Sequence, residues 1–166
     1  LLYGYGVPAA SFWTAGYLLR RRADDIPARM ADSAAILFTV LLAVLEIRHY
    51  MNNGNVFRQS TALAEVAMQV TVGLAMTIGL ERLRARTKSI VHDVGAQIIA
   101  LLTLAALVFG LVVTLNPQFT GRPVGGAFFN LILLGYGIPA VLAAILALVS
   151  RASRPLGYRY VAATAA

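Results

Sequence analysis

Apolar residues run along this chain in five long blocks with no strand-like alternation, and charged or turn-forming residues separate one block from the next. The blocks are Leu1–Leu19, Ala31–Tyr50, Ala62–Leu80, Ile90–Leu115 and Phe128–Val149. A helix rising about 1.5 Å per residue needs about 20 such residues to cross the hydrocarbon of a bilayer, and all five meet or approach that length. Membrane-spanning strands would alternate apolar and polar positions with a period of two, whereas these blocks are apolar on every face. The pattern therefore predicts an all-α fold, a polytopic transmembrane helical bundle of about five spanning helices. Two connections join the blocks on one side, Met51–Ser60 and Asn116–Gly126. The second contains two prolines and three glycines and predicts a series of turns in preference to a helix.

The blocks also repeat. Leu-Tyr-Gly-Tyr-Gly-Val-Pro-Ala at residues 2–9 returns as Leu-Leu-Gly-Tyr-Gly-Ile-Pro-Ala at residues 133–140, an offset of 131. At the same offset Ala31, Ser33, Ala34 and Ala35 match Ala162, Thr164, Ala165 and Ala166. We read residues 1–132 as one four-helix transmembrane unit whose first helix is truncated, and residues 133–166 as the start of a second copy. Four crossings restore the direction of the chain, so both Gly-Tyr-Gly helices should run the same way, a parallel and not an inverted repeat. The expectation is a piece of a longer protein.

Composition changes the picture only by exclusion. With 59% of residues apolar, 13% charged and a mean hydropathy of +0.74, the chain lies outside the range of soluble domains, which are about a quarter charged. Its net charge of +7 does not point to nucleic acid, because the basic residues form short clusters between apolar blocks with no aromatic stacking surface around them. Those clusters orient the chain instead. Arg20, Arg21, Arg22, Arg29, Arg82, Arg84, Arg86, Lys88, Arg151, Arg154 and Arg159 occupy one set of alternate loops, against Arg48, Arg58 and Arg122 in the other. That 11-to-3 split predicts the arginine-rich loops in the cytoplasm and the start of the chain on the periplasmic side. Having no cysteine, the chain has no disulfide, thiol nucleophile or thiolate metal site.

Two kinds of residue carry candidate chemistry. Pro8 and Pro139 lie inside apolar blocks, where proline removes a backbone donor and clashes with the preceding turn, so each helix should kink there. Such kinks line substrate sites in transporters, but they also serve packing, here by letting Tyr5 or Tyr136 reach a partner helix. The second feature is a polar cluster at the predicted outer boundary, formed by Glu46, Arg48 and His49 at the end of the second block with Glu65 and Gln69 at the start of the third. Charges at this depth are expected to face inward and find partners, and the spacing of Glu46 and His49 puts both on one helical face. The cluster reads as a structural ion-pair network before a substrate or proton site. It does not read as a metal site, since a di-iron centre would need a second Glu-x-x-His motif and further carboxylates. No cofactor is expected, and no phosphate-loop pattern occurs. At the opposite boundary Glu81 and Arg82 face His92 and Asp93 across a short turn, and His92 reads as a solvated cap. Gly73 and Gly79 are six apart, so the close-packing Gly-x-x-x-Gly motif is absent.

The stretch Tyr3-Gly4-Tyr5-Gly6-Val7-Pro8-Ala9 before Arg20-Arg21-Arg22, with Leu45-Glu46-Ile47-Arg48-His49, Gly79-Leu80-Glu81-Arg82-Leu83, Asn116-Pro117, Phe119-Thr120-Gly121 and Pro123-Val124-Gly125-Gly126, resembles a family of large bacterial predicted membrane proteins of unknown function. These motifs cover nearly the whole chain, although Arg122 stands where a typical member has an acidic residue. The resemblance implies a multipass protein of many tandem helices and carries over no reaction, substrate or catalytic residue. The expected partners are the lipid bilayer, other helices of the same longer chain and envelope proteins, with no nucleic acid. The expected function is a non-catalytic, transporter-like or scaffolding bundle of the bacterial inner membrane. The alternative is a membrane-embedded enzyme acting on a lipid or glycan through Glu46, His49 and Glu65.

Overall fold

A computed structural model describes residues 1–58, 63–121, 130–151 and 154–165, and all of Arg159 but its side chain. Ala62 and Phe128, where two blocks were expected to begin, lie outside the described residues, as do Arg122, the end of the second connection and Ala166.

The apolar blocks become helices: α1 (Val7–Arg20), α2 (Ile26–Met51), α3 (Leu63–Thr87), α4 (Ile90–Ala105) and α6 (Ile138–Ser150). Two shorter helices accompany them, α5 (Pro117–Thr120) and α7 (Leu156–Thr164). Among the described residues there is no β-strand. Four stretches are long and apolar enough to span a membrane: Ile26–Met51, Leu63–Thr87, Ile90–Thr120 and Leu133–Ser150. The first block is helical and packs along α2, but its glycines, tyrosines and hydroxyl residues keep it out of that set. α7 follows a turn that the block pattern did not anticipate.

Local chemistry sets the ends. Asp25 caps α2 by accepting from the Ala28 amide at 3.1 Å, and Pro27 sits in the first turn, where its missing N–H costs nothing. The first part of the Asn116 connection is a helical turn, contrary to the expectation of turns alone. Asn116 caps it through the Gln118 amide at 2.9 Å, Pro117 opens it, and Gly121 at φ 61 closes it.

Both Gly-Tyr-Gly-aliphatic-Pro motifs form the same local structure. A π-helical turn, Leu2–Gly6 or Leu133–Gly137, runs without a break into α1 or α6. The amide just before the proline reaches back five residues, Val7 to the Leu2 carbonyl and Ile138 to the Leu133 carbonyl. A wider turn relieves the clash between a proline ring and the carbonyl four residues earlier, here that of Gly4 or Gly135. A third π-helical stretch, Ala106–Thr114, continues α4. Tyr136 donates its hydroxyl proton to the Leu111 carbonyl there at 2.7 Å, whereas Tyr5 tilts against Phe38.

α3 is the central helix, with 44% of its apolar window buried against 22–28% for the other three spans. One core joins Ala67, Val70 and Leu74 of α3 to Leu111, Ala143 and Leu146; a second joins Ile36, Leu80, Ala96 and Ile99. Outside these cores Leu37, Ile98, Leu101, Phe109, Val113 and Leu148 are exposed, so the uncovered faces are those a hydrocarbon solvent would contact.

Candidate functional site

Charged side chains gather at the two ends of the bundle. At one end, Glu65 opens α3 with only 1% of its side-chain surface exposed. Arg48 of α2 reaches it at 3.3 Å, the Asn52 amide donates at 3.1 Å, and Gln69, one turn on, donates at 3.4 Å. Arg48 also donates to the Val56 carbonyl at 2.8 Å and to that of Arg58, tying the connection after α2 to the same carboxylate. Of the predicted cluster, then, Arg48, Glu65 and Gln69 come together. Glu46 is half-buried and His49 exposed, and neither side chain has a hydrogen bond or ion pair among the described residues. Asn52, which the sequence reading missed, completes the arrangement; as the cap of α2 it also donates to the Arg48 carbonyl at 3.0 Å.

The arginine-rich end holds two networks. In the first, Asp32 of α2 and His92 of α4 are fully buried, and Arg20 at the end of α1 places Nη1 3.0 Å from Asp32 Oδ2. The same nitrogen lies 3.1 Å from His92 Nε2. Thr87 gives its own proton to the Leu83 carbonyl at 2.9 Å, so its oxygen accepts from His92 Nδ1 at 2.8 Å and Nε2 keeps a lone pair; Arg20 Nη1, which is also 3.2 Å from Nδ1, lies against the imidazole face. Trp13 stacks on the imidazole with planes 12° apart. Neither Asp32 oxygen receives a well-aligned hydrogen bond among the described residues, so the Arg20 charge is what compensates it. Space for this carboxylate exists only because residue 16 is glycine: a Cβ there would lie 2.2 Å from Asp32 Oδ1.

The second network lies between α3, α4 and the start of α7. Glu81, 1% exposed, pairs with Arg84 at 3.0 Å and with Arg154 at 2.7 Å. Asp93 pairs with Arg154 at 2.7 Å and with Arg84 at 3.6 Å. Burial works against the charge on Arg154, but the Glu81 and Asp93 carboxylates outweigh it and raise its pKa. Arg154 also sits over the Tyr158 ring, 5.2 Å from its centroid. Burial first, and then the charge on Glu81, push the Tyr158 hydroxyl up to about 12.

These pairings fix helix directions. The ends of α1, α3 and α6 meet the beginnings of α2, α4 and α7 at the arginine-rich end, so α1 and α6 run the same way. His92 is not the solvated cap expected from its position, because α1 and α2 cover it. Asp32 escaped notice because the second block appeared to start at Ala31, whereas α2 starts at Ile26 and carries Asp32 nearly two turns inside. Its signal was one acid at the edge of an apolar block, balanced by the arginine run that ends the block before. Among the described residues no group of three or more His, Cys, Asp or Glu is placed to hold a metal ion.

Apolar helices of spanning length, apolar faces left open and charges drawn inward at both ends define a polytopic helical membrane protein. A family model described as predicted membrane protein (DUF2339) matches residues 2–166, and the chain belongs to that family. No curated protein and no solved structure matches it.

Proposed function

We propose that this chain is a non-catalytic helical module of the bacterial inner membrane, a scaffolding or transporter-like bundle built from a parallel four-helix repeat, with its arginine-rich end in the cytoplasm. The observation that carries this reading is the local pairing of its buried carboxylates. Asp32, Glu65 and Glu81 each face an arginine from another helix or connection, which holds helices together and leaves none of these three buried carboxylates free for acid-base work. The enzyme reading needs Glu46 and His49 to join Glu65, and they do not share its hydrogen bonds.

Thermal unfolding in detergent separates the two. Glu65→Gln should destabilise by about 1.5–3 kcal/mol, the range for hydrogen bonds to a charged group, while Glu46→Gln and His49→Gln leave the melting temperature unchanged. A Glu65→Gln protein of parental stability that failed to complement a deletion strain would make Glu65 a working acid or base and overturn the proposal.

Orientation has its own test. In intact cells a cysteine at Gly54 should react with an impermeant maleimide, and one at Arg86 should react only after permeabilisation; the reverse result would invert the topology.

A further inference from the structure

Among the described residues, one stripe of α3 packs directly against no other helix. Ala75, Gly79, Arg82 and Arg86 follow one another at spacings of four, three and four residues, the repeat of a single helical face, and all four are exposed. Beside this stripe α1 and α2 stand off to leave a crevice of about 490 Å³. Trp13, Ile36, Met76 and Leu83 supply apolar walls, and Gly79 floors it, since a Cβ there would meet nothing within 4 Å. The Trp13 ring is held in the wall by its N–H bond to Thr39 Oγ1 at 2.9 Å. Arg82 and Arg86 line the same crevice toward the arginine-rich end.

The charges name the occupant. Arg20, Arg29, Arg84 and Arg154 each have a carboxylate within 4 Å, whereas Arg82 and Arg86, like Arg21, Arg22, Lys88 and Arg151, have none among the described residues; of these, Arg82 and Arg86 line the crevice. Two uncompensated guanidinium groups at one end of an apolar slot match an amphiphile with an anionic head and a hydrocarbon tail. Length agrees as well: from Met76 to Arg86 the helix rises about 15 Å, half the hydrocarbon thickness of a bilayer. A neighbouring helix could use Ala75 and Gly79 for close packing, but it would have to bring acidic residues to the arginines. A phospholipid brings its phosphate.

We propose that this crevice is a binding site for an anionic phospholipid, with its phosphate on Arg82 and Arg86 and one acyl chain lying along Gly79 and Met76 against Trp13. The site uses none of the buried ion pairs, so it stands or falls separately from the scaffolding role.

Trp13 is the one tryptophan of this sequence and serves as the reporter. The full-length protein is reconstituted in phosphatidylcholine vesicles containing rising fractions of phosphatidylglycerol brominated on its acyl chains, or of brominated phosphatidylcholine. The Trp13 signal is taken as the difference from a Trp13→Phe variant. Brominated phosphatidylglycerol should reach half-maximal quenching at a mole fraction lower by about fivefold or more, the factor expected of a single arginine at a membrane surface. Arg82→Gln with Arg86→Gln should abolish that preference and leave the phosphatidylcholine curve in place, which also shows that the variant is folded. Gly79→Leu should reduce quenching by both lipids. Equal curves for the two lipids in the parent, a preference that survives loss of both arginines, or no quenching by either lipid because a protein segment fills the crevice, would each overturn the proposal.

Discussion

Arg20→Met is expected to be among the most damaging single substitutions in the chain, lowering stability by about 3–5 kcal/mol, because it leaves the fully buried Asp32 carboxylate without its cation. His92 gives no relief, since its Nδ1 proton is committed to Thr87 and its Nε2 presents a lone pair, 3.6 Å from Asp32 Oδ2. Asp32→Asn in the same protein should recover most of the loss, since the neutral amide no longer needs a charge partner. Thermal unfolding of the parent, both single variants and the double variant forms a complete cycle, and the pair should show a coupling of at least about 1 kcal/mol. If Arg20→Met melted with the parent, or if Asp32→Asn failed to restore it, the Arg20–Asp32 pair would not be what joins α1 to α2 and α4.

How far the sequence disclosed this structure depends on the range of the interaction involved. Helix positions were legible because spanning a bilayer demands about 20 apolar residues in a row, a requirement that four of the five blocks meet by themselves. That alternate helix ends gather at one end of the bundle was legible for a similar reason, since arginine clusters recur after alternate blocks. The distortions before Pro8 and Pro139 were legible as kinks but not as π turns, because proline says which carbonyl must be avoided and not how the backbone widens to avoid it. Arg48, Glu65 and Gln69 were found as a group because a short connection brings α2 and α3 together locally. Arg20 and His92, 72 residues apart, and Glu81 and Arg154, 73 apart, were not. Their meeting depends on which helices pack side by side, and charge patterning along one chain does not encode that choice. Glu46 fails as a member of its predicted cluster for a related reason: sharing a helical face with His49 says nothing about which neighbour covers that face.

Close helix packing was hidden in the same way, and it leads to a prediction of comparable size. No Gly-x-x-x-Gly motif marks α3, yet a Cβ on Gly73 would lie 2.2 Å from Thr103 Oγ1, 3.1 Å from its Cγ2 and 3.2 Å from its Cβ. One glycine set against one threonine of α4 does the work of a motif, because in a membrane the packing of close surfaces drives helices together more than the exclusion of water does. Gly73→Ala should therefore cost about 1–3 kcal/mol as α3 and α4 are forced apart, despite the better helix propensity of alanine. Adding Thr103→Ala removes Oγ1 and Cγ2, leaves only the contact at 3.2 Å to adjust, and should return most of the lost stability. Gly79→Ala, melted in detergent free of phospholipid, is the control: it makes the same change on the same helix where nothing lies within 4 Å, and should be neutral or slightly stabilising. The three melting temperatures decide between close packing at Gly73 and a general intolerance of α3 to substitution. If Gly73→Ala and Gly79→Ala shifted the melting temperature alike, or if Thr103→Ala gave no rescue, the tight contact between α3 and α4 would not be holding the bundle together.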